Sequence, residues 1–243
     1  MDATKTAVVA GGTGGIGEGI VAALMRDGYD VYVPVRPGVH SERLEQYVGG
    51  IEQGSLTCLP ADLEKIEEVE SFRDRIIEAM GQLDLAVVSV GSFYYGYPLR
   101  SMPPEDWDRI LRDNLATHFN MQRVFVDLLY RQKHGAYIVL TGPEADHVFQ
   151  DAEVMSVAAA AQKMMARALA FEAFDSPIRV HVVTSHTPVN TRSRAGNAGP
   201  DWITAADLGS YIAALAAGRL PSAGETVHEL ENGTHLQRLI GRR

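Results

Sequence analysis

From Thr4 onward, short β-branched runs alternate with longer stretches whose apolar residues recur at helical spacing. This alternation restricts the chain to βαβ units around a parallel sheet. Seven strands are expected, at Thr6–Ala10, Asp30–Val35, Ser55–Leu59, Leu83–Val90, Ala136–Thr141, Arg179–Thr184 and Thr226–Leu230. Runs such as AVVA, LAVVSV and RVHVV are apolar on successive residues, as strands covered on both faces must be. Helices are expected at Ile16–Asp27, Glu64–Met80, Pro104–Tyr130, Ala152–Phe174 and Ala205–Ala217. Pro103-Pro104 ahead of Glu105 and Asp106 marks one helix start, because proline suits the first turn and carboxylates suit the positive end of the dipole. The expected architecture is α/β, a doubly wound seven-stranded parallel sheet with helices on both faces. No repeat, low-complexity tract or Pro/Ser linker divides it, so residues 1–243 read as a single domain. The least regular stretch, His186–Asp201, carries Pro188, Gly196, Gly199 and Pro200 and has the make-up of a lid.

Charge and cysteine content narrow the function classes. Lys+Arg is 22 against Asp+Glu 31, a net charge of −9, which argues against nucleic acid or an anionic membrane surface as partner. Cys58 is the single cysteine, so an internal disulfide and a cysteine-based zinc site are excluded, and a reducing compartment is expected. His118 and His181 fall within a helix and a strand with no metal-ligand spacing, so no metal is expected. No apolar run approaches the roughly 18 residues of a membrane span. The opening MDATKTAVVAGG lacks the charged-then-apolar order of a secretion signal, and a cytoplasmic location is expected.

Directly after the first strand comes Gly11-Gly12-Thr13-Gly14-Gly15-Ile16-Gly17, with the helix beginning inside it. Glycine there lets the backbone turn tightly, admits a pyrophosphate without an intervening Cβ, and presents free N–H groups at a helix N-terminus. A Rossmann-type nucleotide site is the reading, with Gly11, Thr13, Gly15, Ile16 and Gly17 as its phosphate end. The second strand ends in VPVRPG, with Arg36 and no Asp or Glu between Val31 and His40. A carboxylate there would take a ribose 2′-hydroxyl and repel a 2′-phosphate, so NADP is favoured over NAD, with His40 and Ser41 as added donors.

The Gly-x-x-x-Gly-x-Gly spacing resembles the short-chain dehydrogenase/reductase family, whose leading Thr is Ala10 here. The resemblance runs along nearly the whole chain. Asp62 with Leu63 in PADLEK matches the adenine-contacting segment, Val88-Ser89-Val90-Gly91 matches the Asn-Asn-Ala-Gly strand end, and Asn114 in RDNLATHF matches the helix Asn. Lys163 is matched to the Lys of Tyr-x-x-x-Lys. The resemblance implies hydride transfer between nicotinamide and a carbonyl or alcohol carbon. Its Tyr moves the proton, its Lys lowers that Tyr's pKa and holds the ribose, its Ser polarises the carbonyl, and its Asn orders a relay water. It also implies a homodimer or homotetramer through paired helices. Here the matched Tyr position is Ala159, and the Ser position falls on Gly142 or Pro143, with Thr141 the nearest hydroxyl. The expected site therefore keeps Asn114, Lys163 and Thr141 as catalytic positions and Gly91, Val90 and Lys163 against the cofactor.

Three explanations of the missing Tyr and Ser stay open. The proton could come from Tyr94, Tyr95 or Tyr97 in SFYYGYP, from His147 or Asp146, or from Glu144 or Glu153. The fold could keep its nucleotide as a catalytically silent scaffold or sensor. Or the pocket could serve non-redox chemistry on a small molecule, such as dehydration, isomerisation or cyclisation.

Overall fold

The computed structural model describes residues 5–241. Its main sheet takes β1 (Lys5–Ala10), β2 (Tyr29–Val35), β3 (Leu56–Pro60), β4 (Leu85–Val88), β5 (Ala136–Thr141), β6 (Arg179–Ser185) and β9 (Val227–Leu230). All pairings are parallel, in the order β3-β2-β1-β4-β5-β6-β9. The seven expected strands are all present. β4 is shorter than expected because the chain leaves the ladder after Ser89 N–H reaches the Ala10 carbonyl.

The pleat sends alternate residues of β1 to opposite cores. Ala7 and Val9 pack in the layer holding α1 (Gly15–Arg26), α7 (Ala205–Ala216) and α8 (Gly233–Leu239). Val8 and Ala10 pack against α3 (Ile66–Met80), α5 (Thr117–Gln132) and α6 (Glu153–Glu172). α1 and α7 meet at glycine: a Cβ on Gly209 would collide with the Gly19 carbonyl, so the two helix backbones touch.

The sequence reading missed α2 (Glu42–Val48), α8 and a small separate sheet of β7 (Val189–Asn190) and β8 (Ile203–Thr204), which folds the ends of the late loop together. The expected helix Pro104–Tyr130 is resolved into α4 (Pro104–Leu111), a π-turn at Arg112–Ala116, and α5. Among the described residues, no helix is long and apolar enough to cross a membrane.

Candidate active site

The strand order reverses between β1 and β4, so a crevice opens beyond their carboxyl ends, where doubly wound sheets take their ligands. It has two connected parts. An outer cavity of about 310 Å³ is walled by the glycine turn at Gly11, Thr13 and Gly14, by Arg36 and by Leu63. An inner cavity of about 370 Å³ is walled by Ile16, Asn114, Thr141, Glu144, Met155 and Ala159. Residues 89–92 border both.

The outer part is built for an anion. Gly11 has φ +83°, and a side chain there would strike the Ser89 carbonyl, so the turn after β1 passes this close to the end of β4 only because that residue is glycine. The α1 ladder begins when Glu18 N–H donates to the Gly14 carbonyl at 2.9 Å, so the N–H groups of the helix's first residues have no partner within the helix. Gly15 and Gly17 do not face it. Gly15 packs on Thr191 and Gly17 on Gly11, while Ile16 between them reaches the inner cavity. Arg36 stands at the rim, more than half exposed, and meets Glu64 at 3.6 Å, a loose pair that an incoming phosphate can displace. Asp62 turns back on its own loop: its Oδ1 accepts from Glu64 N–H at 3.1 Å and Lys65 lies 3.6 Å away, so Leu63 rather than Asp62 forms the wall.

The inner part is held by a π-turn and a buried histidine. In the π-turn, Thr117 Oγ1 donates to the Asp113 carbonyl at 2.7 Å and Gln162 Nε2 to the Asn114 carbonyl at 2.5 Å. Both satisfy groups the widened ladder would strand. Asn114, nearly buried, donates through Nδ2 to the Ile110 carbonyl at 3.0 Å and presses its Oδ1 on Gly91. His118 Nε2 donates to the Val90 carbonyl at 2.9 Å and so fixes the segment shared by both cavities. Burial outweighs that bond and pulls the His118 pKa down to about 4, keeping the ring neutral.

Lys163 is not brought to the crevice. Its ammonium lies 2.6 Å from Asp146 Oδ2 and 2.7 Å from Glu229 Oε1, and Glu229 Oε2 meets His186 Nε2 at 2.7 Å. Burial works against the charge on Lys163, but the two carboxylates outweigh it and hold the pKa above its usual value. Asp146, His186 and Glu229 are close enough to share a metal ion, but the ammonium already supplies the cation between the two carboxylates. Four α6 residues line the inner cavity, in two pairs four apart, Met155 with Ala159 and Ala158 with Gln162. Of the two, Met155 and Ala159 share the four-residue register of Lys163 and stand one turn earlier than the match to Lys163 placed the Tyr-x-x-x-Lys spacing. Helix periodicity explains the slip, since Met155, Ala159 and Lys163 follow one another at intervals of four.

The other proton candidates separate as cleanly. Tyr94 is buried, its hydroxyl accepting from Tyr97 N–H at 3.0 Å, while Tyr95 and Tyr97 are exposed; Phe93 is the aromatic residue of that loop lining the cavity. His147 stacks edge-on with His186 and lies outside the cavity lining. Trp202 packs beside Gly199 within the late loop. Thr141 faces the cavity with its hydroxyl 3.2 Å from that of Thr184, and Glu144 faces it with a carboxylate. Among the described residues lining the inner cavity there is no tyrosine, lysine or histidine.

Fold and crevice together define a doubly wound α/β protein with a dinucleotide-type cleft at its switch point. Residues 10–220 match the family model described as enoyl-(acyl carrier protein) reductase, and the chain belongs to the short-chain dehydrogenase/reductase family of oxidoreductases. Curated relatives include a D-beta-hydroxybutyrate dehydrogenase of Rhizobium meliloti, 28% identical over 56% of this chain and 52% of the relative. A 3-oxoacyl-[acyl-carrier-protein] reductase of Staphylococcus aureus is 29% identical over 58% of this chain and 57% of the relative. The chain thus matches little more than half the length of these relatives. Among solved structures, ElxO with NADP bound superposes with TM-score 0.81 at 17% identity, covering 96% of this chain and 99% of that one. An NADPH-dependent 3-quinuclidinone reductase of Rhodotorula rubra gives TM-score 0.79 at 21% identity, covering 95% and 91%.

Proposed function

We propose that the chain binds NADP(H) and acts as an oxidoreductase on a small-molecule carbonyl or alcohol. The observation that carries this reading is the pair of adjoining cavities, lined by the glycine turn at Gly11, Thr13 and Gly14, basic at Arg36 and apolar at Leu63 and Val90. That donor set suits a diphosphate, a 2′-phosphate and an adenine in turn. When bound there the dinucleotide supplies hydride chemistry. The chain's own work is to seat the diphosphate on the α1 amides, to hold residues 89–92 through His118 and Asn114, and to shape the inner cavity for the substrate. NADP bound in the similar ElxO structure and the NADPH dependence of the similar Rhodotorula reductase support the cofactor, and the relatives' 3-oxoacyl and hydroxybutyrate substrates support the reaction class.

The test is calorimetric titration with NADPH and NADH. Arg36→Asp should weaken NADPH by about tenfold or more, because a charge-assisted hydrogen bond is worth roughly 1.5–3 kcal/mol, and leave NADH nearly unchanged. Equal losses for both would remove the 2′-phosphate assignment. A catalytically silent, cofactor-binding role is the second reading, favoured by Met155 and Ala159 where a proton-moving pair would stand.

The same reading makes the protein a cytoplasmic homodimer or homotetramer. Phe119 and Tyr130 on α5 and Met164 and Phe171 on α6 are more than half exposed, an apolar face wide enough to bury against a second copy. Phe171→Glu should lower the mass measured by light scattering to that of one chain.

A further inference from the structure

We propose that Glu144 is the proton-exchanging group of this site, its carboxylate filling the space that a side chain on Gly142 would occupy. The proposal rests on the oxidoreductase reading above and names the group that reading leaves open. Gly142 has φ −101° and ψ −178°, a backbone conformation any residue adopts, so the chain geometry does not require glycine there. The space beside it is nonetheless taken: a Cβ built on Gly142 would meet Glu144 Oε2, the end of a flexible side chain that would have to move aside. Gly142 follows the last residue of β5, where the resemblance expects a hydroxyl, and the missing side chain has been replaced by a carboxylate reaching back from the next turn. Among the described residues, the Glu144 carboxylate has no hydrogen-bond or ion-pair partner, and it lines the inner cavity beside Thr141 and opposite Met155 and Ala159. A half-buried carboxylate facing a cavity with its acceptors unused has the chemistry to take a hydroxyl proton.

The turn that carries it is anchored from behind. Ala145 N–H donates to the Gly142 carbonyl at 3.1 Å, and Asp146 is tied to Lys163 on α6, which is tied in turn to Glu229 on β9. Lys163 is thus a positioning residue for the Glu144 turn. In the oxidising direction the substrate's O–H bond breaks and its proton passes to the Glu144 carboxylate. The carbinol C–H bond breaks with its electron pair, which reduces NADP as hydride. The products are the carbonyl compound, the reduced dinucleotide and a Glu144 carboxylic acid, which then returns its proton to water. Reduction is the same path reversed. Of the charged and titratable groups, Arg194 lines the same cavity, and Asp146, two residues along the same turn, leads through Lys163 on α6 to Glu229 on β9 and His186 after β6.

The experiment compares wild type with Glu144→Gln and Gly142→Ala by calorimetry with NADP+ and NADPH and by the pH profile of alcohol oxidation. Glu144→Gln keeps the shape and loses the charge, while Gly142→Ala displaces the carboxylate without straining the backbone. Each should weaken NADP+ relative to NADPH by about fivefold or more, because a carboxylate near the ring favours the cationic nicotinamide. Each should also slow oxidation by about 10²–10⁴ and remove the acidic limb of the profile. An NADP+/NADPH affinity ratio unchanged in both variants would overturn the proposal, as would an oxidation rate retained in Glu144→Gln. Failure of the wild type to bind either dinucleotide would instead sink the cofactor reading, so the two failures are distinct.

Discussion

An ammonium with two of its three donors committed to carboxylates at 2.6 and 2.7 Å, on a residue outside the lining of both cavities, is poorly placed to hold a ribose. Lys163→Ala should therefore leave dinucleotide affinity within about twofold of wild type, while stability falls by about 1–2 kcal/mol. That cost is modest because Asp146 and Glu229 are each more than a third exposed and water recovers part of it. Titration calorimetry and urea unfolding check the two halves, and a large loss of affinity would return Lys163 to the cofactor. The residues legible in the sequence were those whose role is set by backbone geometry, such as Gly11, or by the resemblance to the family, such as Asn114. Lys163 was misplaced because a four-residue spacing repeats along α6, and a motif with its tyrosine missing gives no fixed point from which to count. Glu144 escaped ranking because nothing in the sequence says that a side chain two residues past Gly142 folds back over it.

The late loop is held to α1 by one buried charge. Glu18 stands on the first turn of α1 with a side chain only 5% exposed, and Arg192 covers it with a two-pronged contact, Nε to Oε1 at 2.7 Å and Nη2 to Oε2. The same guanidinium lies 4.6 Å from the ring centre of Tyr47 on α2. One side chain thereby joins the loop, α1 and α2 beside the amides offered to the diphosphate. Removing it leaves a carboxylate with little access to water, so Arg192→Ala should lower the melting temperature, by less than the loss of a fully buried pair would because the arginine itself is 40% exposed. Thermal unfolding of Arg192→Ala beside Glu18→Gln, Arg192→Ala checks it, since the double variant should recover much of the loss. Element existence was legible here because strand and helix periods alternate so regularly. β7, β8 and α8 were not, because two-residue strands and a seven-residue helix fall below what periodicity can register, and their stability comes from docking on α7 and one another.

Across the whole molecule, three imidazoles are folded away in neutral form. His118 and His181 have pKa values drawn down by burial to about 4, and His228 is lowered by the same cause. Between β6 and β9, His181 Nδ1 and His228 Nε2 both approach the Glu225 carbonyl, at 2.8 and 3.0 Å. Each must therefore carry its hydrogen there, which leaves His228 Nδ1 to accept from the Tyr211 hydroxyl at 2.9 Å. The unfolded chain protonates these rings near pH 6.5, whereas the folded chain protonates His118 and His181 only near 4 and His228 below its usual value, so in that range the unfolded state binds more protons. Stability is then full above about pH 6.5 and declines as pH falls through the window, each ring contributing up to about 1.4 kcal/mol per pH unit. The carboxyl of Glu229, held below its usual value by Lys163 and His186 against the opposing effect of burial, acts only lower still. Urea unfolding from pH 7 to pH 4.5 should therefore show a slope belonging to the histidines, and His118→Gln should reduce it by one ring's share while keeping a donor for the Val90 carbonyl. A slope identical in that variant would mean that His118 takes up its proton in the folded state, and the segment it fixes at the junction of the two cavities would have to loosen with it.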